Sequence, residues 1–191
     1  MLLIGRFQYH IATIAPIAYQ VTSSGSVRFA GHELVGATPL QTSRLGVVLV
    51  PERDKIFPSL TVADHIQQLG AVDAARAALP DAWPIIERRW RSPAGLLSGG
   101  ERQLLAIAMS ASLEPELLLV DEMSLGLAPV MIDRVADAIR QLHANRSVTI
   151  VIVEQNIAVA SALADRVHRL DGGLVGPLAD PVVAGSGTVA R

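Results

Sequence analysis

Three short apolar runs constrain the fold of this chain more than any other feature of its sequence. Each run is essentially unbroken rather than alternating, which is typical of strands buried on both faces of a sheet. The runs are Gly46–Val50, Leu117–Val120 and Val148–Val153. Half of the residues are apolar and only 4% are aromatic, a composition that suits a parallel sheet covered by helices. We therefore predict an α/β fold with a mostly parallel sheet flanked by helices.

Polar residues follow each of these runs at once. The pairs are Pro51-Glu52, Asp121-Glu122 and Glu154-Gln155. In an open parallel sheet, ligands bind beyond the carboxyl ends of the strands. A polar turn at the end of one strand is ordinary and would carry little weight alone. Three such ends together predict a ligand-binding rim that presents acids and an amide.

Helical patterns separate the predicted strands. Thr61 is a predicted N-cap for a helix over Val62–Leu79, which Pro80 ends. Further predicted elements are helices over Glu101–Leu113, Val130–Ala144 and about Asn156–Asp165, a strand over Arg166–Leu170 and a turn at 171–173. Asn156 is the predicted N-cap of the last of these helices.

The composition changes along the chain and suggests its organisation. Residues 53–97 are richer in Pro, Arg and Trp, and we interpret them as a helical insertion between two strands of the core. The core then comprises residues 1–52 and 98–175. Residues 176–191 contain Gly, Ala, Pro and Val without any period, so we expect a loose tail there.

A serine–diglycine segment begins one of the predicted helices. Ser98 and Glu101, in the sequence LSGGERQ of residues 97–103, have the S-x-x-E spacing of a capping box. Gly99 and Gly100 leave their backbone N–H groups unshielded, and a helix N-terminus with free N–H groups is an anion site. An ordinary capped helix after a flexible turn explains the segment equally well, because S-x-x-E alone is common.

The second motif is LLLVDE, residues 117–122. Asp121, at the end of a buried strand, can hold Mg²⁺ near substrate phosphates, usually through water. Glu122 can polarise an attacking water as a general base. A strand that simply ends in an acidic turn would give the same hexamer, so both interpretations stay open for the motif alone.

The order of the motifs is more specific than either motif alone. LSGGERQ at 97–103 precedes LLLVDE at 117–122, and SLGLAP at 124–129 follows almost directly. In this order they resemble the signature motif, the Walker B strand and the D-loop of the ATPase subunit of ABC transporters. The resemblance extends from about Thr22 to Val175 and implies a P-loop NTPase-like fold.

Three further segments resemble one group within that family. They are VPER at 50–53, IFPSLTV at 56–62 and VEQN at 153–156. They are similar to the ATPases of branched-chain amino acid importers. Members of this group commonly have glutamate at the position of the Q-loop glutamine, and glutamine in place of the usual switch histidine.

The resemblance implies roles for four residues at the predicted rim. Asp121 would help to hold Mg²⁺, and Glu122 would activate water. Gln155 would lie near the γ-phosphate of ATP. Glu52 would link the nucleotide to the helical insertion, and through it to the permease.

The resemblance also implies partners. Ser98, Gly99, Gly100 and Glu101 would reach the γ-phosphate of a nucleotide bound to the opposite subunit, because family members dimerise head to tail. The implied cofactors are ATP and Mg²⁺, and the implied partners are a second ATPase subunit and membrane permease subunits. The implied location is the cytoplasmic face of the plasma membrane, as a peripheral protein.

Composition excludes some partners and sites. The net charge of −2 provides no general basic field, so we expect no nucleic acid partner. No apolar run comes near 20 residues, so we expect no membrane-spanning helix and any membrane contact through a partner. Cysteine is absent and the five histidines show no metal-ligand spacing.

One motif of the family does not occur in this sequence. The phosphate loop, G-x-x-x-x-G-K-S/T, is absent, and Lys55 is the only lysine. Since this loop supplies most of the phosphate cradle, we expect weak ATP binding on the chain's own face, and hydrolysis by this chain stays an open question. We also expect the first strands to be missing, leaving unpaired backbone groups or an exposed edge inside the sheet.

Two explanations for the missing loop are open. The chain is either a shortened product or misassigned start of a normal ATPase, or a degenerate partner that lends its LSGGE segment to the ATP of another subunit. The first is favoured, because one contiguous block is missing while the rest of the sequence is intact.

Overall fold

A computed structural model describes residues 2–4, 26–53, 55–70, 72–171 and 174–177. The strands are β1 (Leu2–Ile4), β2 (Arg28–Phe29), β3 (His32–Glu33), β4 (Val47–Val50), β5 (Leu117–Asp121), β6 (Thr149–Glu154), β7 (Val167–Asp171) and β8 (Leu174–Pro177). The helices are α1 (Pro39–Arg44), α2 (Val62–Gln67), α3 (Val72–Ala78), α4 (Trp83–Arg88), α5 (Gly99–Ser112), α6 (Pro129–Arg146) and α7 (Ile157–Leu163), with a short 3₁₀ turn at Ala94–Leu96. None of the helices in these ranges is long and apolar enough to cross a membrane.

Six of the strands form one sheet in the order β4-β5-β6-β1-β7-β8, and β2 and β3 form a separate hairpin. β4, β5 and β6 run parallel, with Val50 opposite Val120 and Asp121 opposite Val153. β1 is antiparallel to both of its neighbours, and β8 is antiparallel to β7. The predicted parallel sheet is therefore confirmed for the three apolar runs, and antiparallel strands extend it.

Both faces of the parallel strands are covered. Along β5, Leu118 and Val120 belong to the larger hydrophobic cluster, which also contains residues of α5 and α6. Leu117 and Leu119 belong to a second cluster on the other face, with Leu34. Because side chains alternate between the faces of a strand, two covered faces require an unbroken apolar run.

The interior of the sheet differs from our expectation. We expected a missing strand to leave unpaired backbone groups or an exposed edge there. Instead β1 lies between β6 and β7, and Leu2 is paired with Glu154 on one side and with Arg169 on the other. The expectation was wrong for residues 152–154 of β6 and 167–169 of β7, because β1 pairs with these parts of both strands.

The predicted helix over Val62–Leu79 is two helices. Its start is confirmed, since Thr61 forms a capping box with Asp64. It is interrupted near Gly70, whose φ of +75° lies in the left-handed region, a conformation that ends helices and that glycine adopts without steric cost. The later helices begin and end within two residues of their predicted bounds, and Asn156 caps α7 as predicted.

Several short elements were not predicted individually. They are β1, the β2–β3 hairpin, α1, α4 and β8. β8 pairs with β7, with Asp171 opposite Leu174, so the predicted border of the tail at residue 176 falls inside a strand. The predicted turn glycines, Gly172 and Gly173, and the tail beyond Pro177 lie outside the described residues.

The predicted helical insertion contains α2, α3 and α4. Its buried side chains, such as Trp83 and Ile86, belong to the same hydrophobic cluster as Leu118 of β5. This packing fixes the start of α5 and the segment after β4 beside the carboxyl ends of the parallel strands.

Candidate functional site

The carboxyl ends of β4, β5 and β6 meet at one edge of the sheet. Asp121, the last residue of β5, lies opposite Val153 of β6, and Val50 at the end of β4 lies opposite Val120. Because the strands are parallel and in register, the residues that follow their ends lie at this edge. These residues include Glu52, Glu122 and Gln155. The predicted rim therefore exists in the backbone arrangement.

Negative charge is concentrated at the end of β5. Burial raises the pKa of the Asp121 carboxyl above its ordinary value, the charges of Glu122 and Glu52 raise it further, and Lys55 opposes them. Glu122 adopts a left-handed φ of +44°, and its N–H donates to the Val153 carbonyl at 2.8 Å. Such a conformation is rare outside glycine, and here it turns the chain just after the strand.

A direct contact joins the candidate base to the neighbouring strand end. The Gln155 Nε2 donates a hydrogen bond to Oε1 of Glu122. The half-buried Glu122 side chain is thus oriented by the amide of an exposed residue. The two residues predicted to lie near the reacting phosphate are in contact with each other.

Glu154 is one of the acidic residues predicted at the rim, but its carboxylate is buried. It is 2% exposed, and it accepts hydrogen bonds from Ser124 Oγ at 2.7 Å, Ser124 N–H at 3.2 Å and Asn156 N–H at 3.0 Å. Hydrogen bonds of this kind compensate the burial of a charge. Glu154 therefore fixes the loop after Glu122 to the end of β6.

The serine–diglycine segment begins α5 as predicted. The Ser98 Oγ accepts from the Glu101 N–H at 3.3 Å, and the Ser98 N–H donates to Glu101 Oε2 at 2.8 Å. The Arg89 Nε donates to the other carboxylate oxygen of Glu101 at 2.8 Å. Burial tends to raise the pKa of Glu101, but the hydrogen bonds from Arg89 and Ser98 outweigh it and lower the pKa.

The two glycines also have a packing role that the sequence did not reveal. A Cβ on Gly100 would lie 2.4 Å from Cε and 2.8 Å from Cβ of Met131 in α6. A Cβ on Gly99 would lie 3.1 Å from a methyl group of Leu127. Their N–H groups belong to the first helical turn, where a helix provides no acceptor, so packing and anion binding are compatible uses of the same residues.

A groove of about 550 Å³ lies between the segment after β4, the start of α5 and the loop after β5. Its polar lining consists of Glu52, Arg53, Lys55, Arg102, Gln103 and Glu122. Of the predicted site residues, Glu52, Gly99 and Glu122 line this groove. Ser98, Gly100, Glu101 and Asp121 are close to these in the chain, and Gln155 contacts Glu122.

Sequence reasoning missed Lys55 and Gln103 as site residues. The Lys55 Nζ donates to Gln103 Oε1 across the groove, and Gln103 is only 3% exposed. A signal for Gln103 was present in the sequence, because it lies one helical turn beyond Gly99, a spacing that places two side chains on one face of a helix. The position of Lys55 depends on tertiary packing and had no such signal.

Comparisons with known proteins agree with this arrangement. Residues 12–124 match the sequence profile of the ABC transporter family. The chain is 37% identical over 159 residues to the high-affinity branched-chain amino acid transport ATP-binding protein BraG of Pseudomonas aeruginosa, covering 80% of this chain and 68% of that protein. It is 33% identical over 159 residues to the probable branched-chain amino acid transport ATP-binding protein LivF of Archaeoglobus fulgidus, covering 80% and 67%.

The fold is likewise similar to that of solved structures. The crystal structure of a nucleotide-free ATP-binding cassette from an ABC transporter matches with a TM-score of 0.68 and 17% identity, covering 81% of this chain and 69% of that one. At this identity the likeness concerns the fold alone, and it agrees with the predicted P-loop NTPase-like α/β architecture. Taken with the sequence matches, it leads to the conclusion that the chain belongs to the ABC transporter family, among its ATP-binding subunits.

Proposed function

We propose that this chain is the ATP-binding and ATP-hydrolysing subunit of an importer for branched-chain amino acids. The substrate class is supported by the names of the two relatives, BraG and LivF. The chain would form a head-to-tail dimer with a second ATPase subunit. This dimer would be attached to permease subunits at the cytoplasmic face of the plasma membrane. The observation that carries the proposal is the contact between Gln155 and Glu122 beside Asp121 at the ligand rim.

Glu122 is the proposed general base. A general base must lie within hydrogen-bond reach of the water that it activates, and Glu122 lines the groove at the end of β5. The amide of Gln155 holds one carboxylate oxygen and leaves the other for water. Gln155 is thus proposed to orient the base and to sense the γ-phosphate nearby.

Asp121 is the proposed Mg²⁺ residue. Its raised pKa reflects the nearby charges of Glu122 and Glu52 as well as burial, and a bound cation would relieve that repulsion. The described residues contain no group of three or more His, Asp or Glu side chains that could hold a metal ion. A single carboxylate such as that of Asp121 fits Mg²⁺, because Mg²⁺ commonly binds through one or two carboxylates, waters and substrate phosphates.

The start of α5 is the proposed contact to the ATP of the opposite subunit. Ser98 is exposed, and the N–H groups of Gly99 and Gly100 have no acceptor within the helix. Together with the positive end of the helix dipole they would bind a phosphate oxygen. Glu101 would act mainly by holding Ser98, since its carboxylate is already engaged by Ser98 and Arg89.

The helical insertion is the proposed permease-facing part of the chain. We assign residues 1–52 and 98–177 to the ATPase core, so that β8 stays within it, and residues 53–97 to the insertion. Glu52 stands at the boundary between core and insertion and lines the groove. It is proposed to transmit the state of the nucleotide to the insertion.

A second candidate function is favoured by one sequence observation. The 191 residues contain no G-x-x-x-x-G-K-S/T loop, which supplies most of the phosphate cradle in nucleotide sites of this kind. The chain would then be a non-catalytic partner that contributes only its signature motif and dimer surface. In that case Ser98 is needed for transport, whereas Glu122 is not.

Two variants in a reconstituted transporter distinguish these functions. If the chain is catalytic, Glu122→Gln is expected to lower ATP hydrolysis by about 10²–10⁴-fold, the usual contribution of a general base. If it is a non-catalytic partner, Glu122→Gln leaves the rate unchanged and Ser98→Arg abolishes it. An unchanged rate in both variants would contradict both functions. Glu116→Gln, which changes an exposed carboxylate away from the groove, is the matched control.

A further inference from the structure

The single lysine of the chain projects into the groove beside the acidic rim. Lys55 lines the groove together with Glu52 and Arg102, and its Nζ donates a hydrogen bond to Oε1 of Gln103. Burial lowers the pKa of the Lys55 amine, and Arg102 lowers it further, while Glu52 and Asp121 oppose this effect. The amine therefore has one specific acceptor and acidic groups close by.

The buried amide of Gln103 depends on Lys55 for a hydrogen bond. The side chain of Gln103 is 3% exposed, and its Nε2 has no hydrogen-bond partner within the described part of the chain. Its Oε1 is satisfied by Lys55. Buried amide groups without partners cost free energy, so loss of the Lys55 amine would leave the whole Gln103 amide without a partner among the residues that the structure describes.

The contact joins two segments that belong to different parts of the site. Lys55 lies in the segment after β4, which also carries Glu52. Gln103 lies in α5, the helix that begins at Ser98. Farther along, the segment after β4 is fixed to the 3₁₀ turn, because the Gly95 N–H donates to the Pro58 carbonyl at 2.9 Å. The Lys55–Gln103 contact ties its earlier part to α5 itself.

We propose that Lys55 is a positioning residue that latches the segment after β4 to α5 through Gln103, so that Glu52 and the serine–diglycine turn move together. This inference rests on the proposed function for its consequence, since α5 would contact a phosphate of the opposite subunit and Glu52 would face the permease. A displacement of one segment is then passed to the other through this side-chain pair.

The first test reads the contact directly. Because the chain has one lysine, protein labelled with side-chain [15N]lysine gives a single lysine Nζ resonance. Gln103→Leu is expected to shift this resonance, since the amine loses its acceptor. Arg44→Met, which removes an exposed cation at the end of α1, should leave it in place. A resonance at the same position in wild-type protein and Gln103→Leu would overturn the inference.

The second test asks whether the two segments are coupled. Hydrogen exchange is followed at the Arg102 amide, which donates to the Ser98 carbonyl, and at the Phe57 amide, which donates to His65 Nε2. Lys55→Met is expected to speed exchange at both amides at least threefold. Lys55→Arg keeps a donor of the same charge and should restore most of the protection.

A further variant keeps the test decisive if Lys55→Met fails to fold. Gln103→Glu replaces the amide by a carboxylate, so the contact with the Lys55 ammonium becomes an ion pair between opposite charges, which should strengthen it. Slower exchange at Arg102 and Phe57 in Gln103→Glu supports the latch, and unchanged exchange overturns it. These experiments contain no nucleotide and measure only the Lys55–Gln103 contact. A negative result would therefore overturn the latch without contradicting the proposed role of Glu122 in ATP hydrolysis.

Discussion

At the scale of single residues, Asp121 shows that an ionised carboxylate at the rim destabilises the folded chain. Its pKa is raised in the folded chain by burial and by Glu122 and Glu52, so the folded chain binds the Asp121 proton more tightly than the unfolded chain does. The contribution of this group to stability is therefore lost as pH rises through its raised pKa. At neutral pH the carboxylate is charged, so its burial and the repulsion from Glu122 and Glu52 destabilise the folded chain.

Removal of this charge is expected to stabilise the chain in a pH-dependent way. Asp121→Asn should raise the Tm at pH 7, and the gain should be smaller at pH 4, because the wild-type carboxyl is more protonated there. Thermal unfolding at both pH values measures the difference. Asp133→Asn, at an exposed position of α6, is the control and should change the Tm little at either pH. An equal gain at both pH values would contradict the charge argument.

The candidate site could be predicted at the residues whose role is local. Ser98 and Glu101 form the predicted capping box because both lie within one helical turn, and Asp121 ends its strand as the apolar run requires. Lys55 and the Glu154 contacts could not be predicted in the same way, and the helical spacing of Gln103 indicated its face but not its partner. Each of these contacts depends on which segments the fold brings together, and a partner on another segment is not encoded by spacing along one element.

At the scale of elements, the approach of α5 to α6 depends on the absence of one side chain. Gly100 faces Met131 so closely that an added Cβ would lie 2.4–2.9 Å from three of its atoms. Real Cβ atoms do not tolerate such distances, so either Met131 or the helix must shift. The serine–diglycine turn is thus a helix-packing feature as well as a candidate anion site.

Gly100→Ala is therefore expected to destabilise the chain by about 1–3 kcal/mol, the usual cost of overpacking. Urea unfolding followed by circular dichroism measures this change. Gly99→Ala is the matched control: the nearest atom to its Cβ would be a methyl group at the end of the flexible Leu127 side chain, at 3.1 Å, and a smaller loss is expected. Gly100→Ala combined with Met131→Ala should recover part of the loss, and no recovery would contradict the steric explanation.

Short elements explain most of the differences between the predicted and observed fold. The start of α1 carries a readable signal, since Thr38 and Gln41 form a capping box and Pro39 is the first helical residue. The break near Gly70 was missed because the apolar spacing continues on both sides of it. Strands of two residues, as in the β2–β3 hairpin, are too short to show any period.

At the scale of the whole molecule, the parallel direction of β4, β5 and β6 follows from local patterns, whereas the position of β1 does not. β4, β5 and β6 are each followed by helices that return the chain to the same end of the sheet, which is what the alternating pattern predicts. β1 is three residues long and joins strands from the far end of the described chain. Only long-range pairing decides its place and its antiparallel direction.

Because β1 is an interior strand, its backbone should matter more than its length suggests. Leu3 is paired with Val153 and His168, and Leu3→Pro removes an N–H group from the ladder. We expect a loss of about 1–3 kcal/mol in the free energy of unfolding, the cost of an unsatisfied buried acceptor. Leu3→Val keeps the N–H group and a good strand former, and should have little effect. Equal stability of the two variants in urea would show that β1 contributes nothing.

The place of β1 also governs when the sheet can close. During synthesis β1 leaves the ribosome well before β6 and β7, so it must wait until the intervening residues 5–148 have been made before it can meet either neighbour. Contacts of such high order form slowly, and during this delay the facing edges of β6 and β7 are open to other chains. Nascent chains of this protein should therefore be most vulnerable to aggregation just before β1 pairs with β6 and β7.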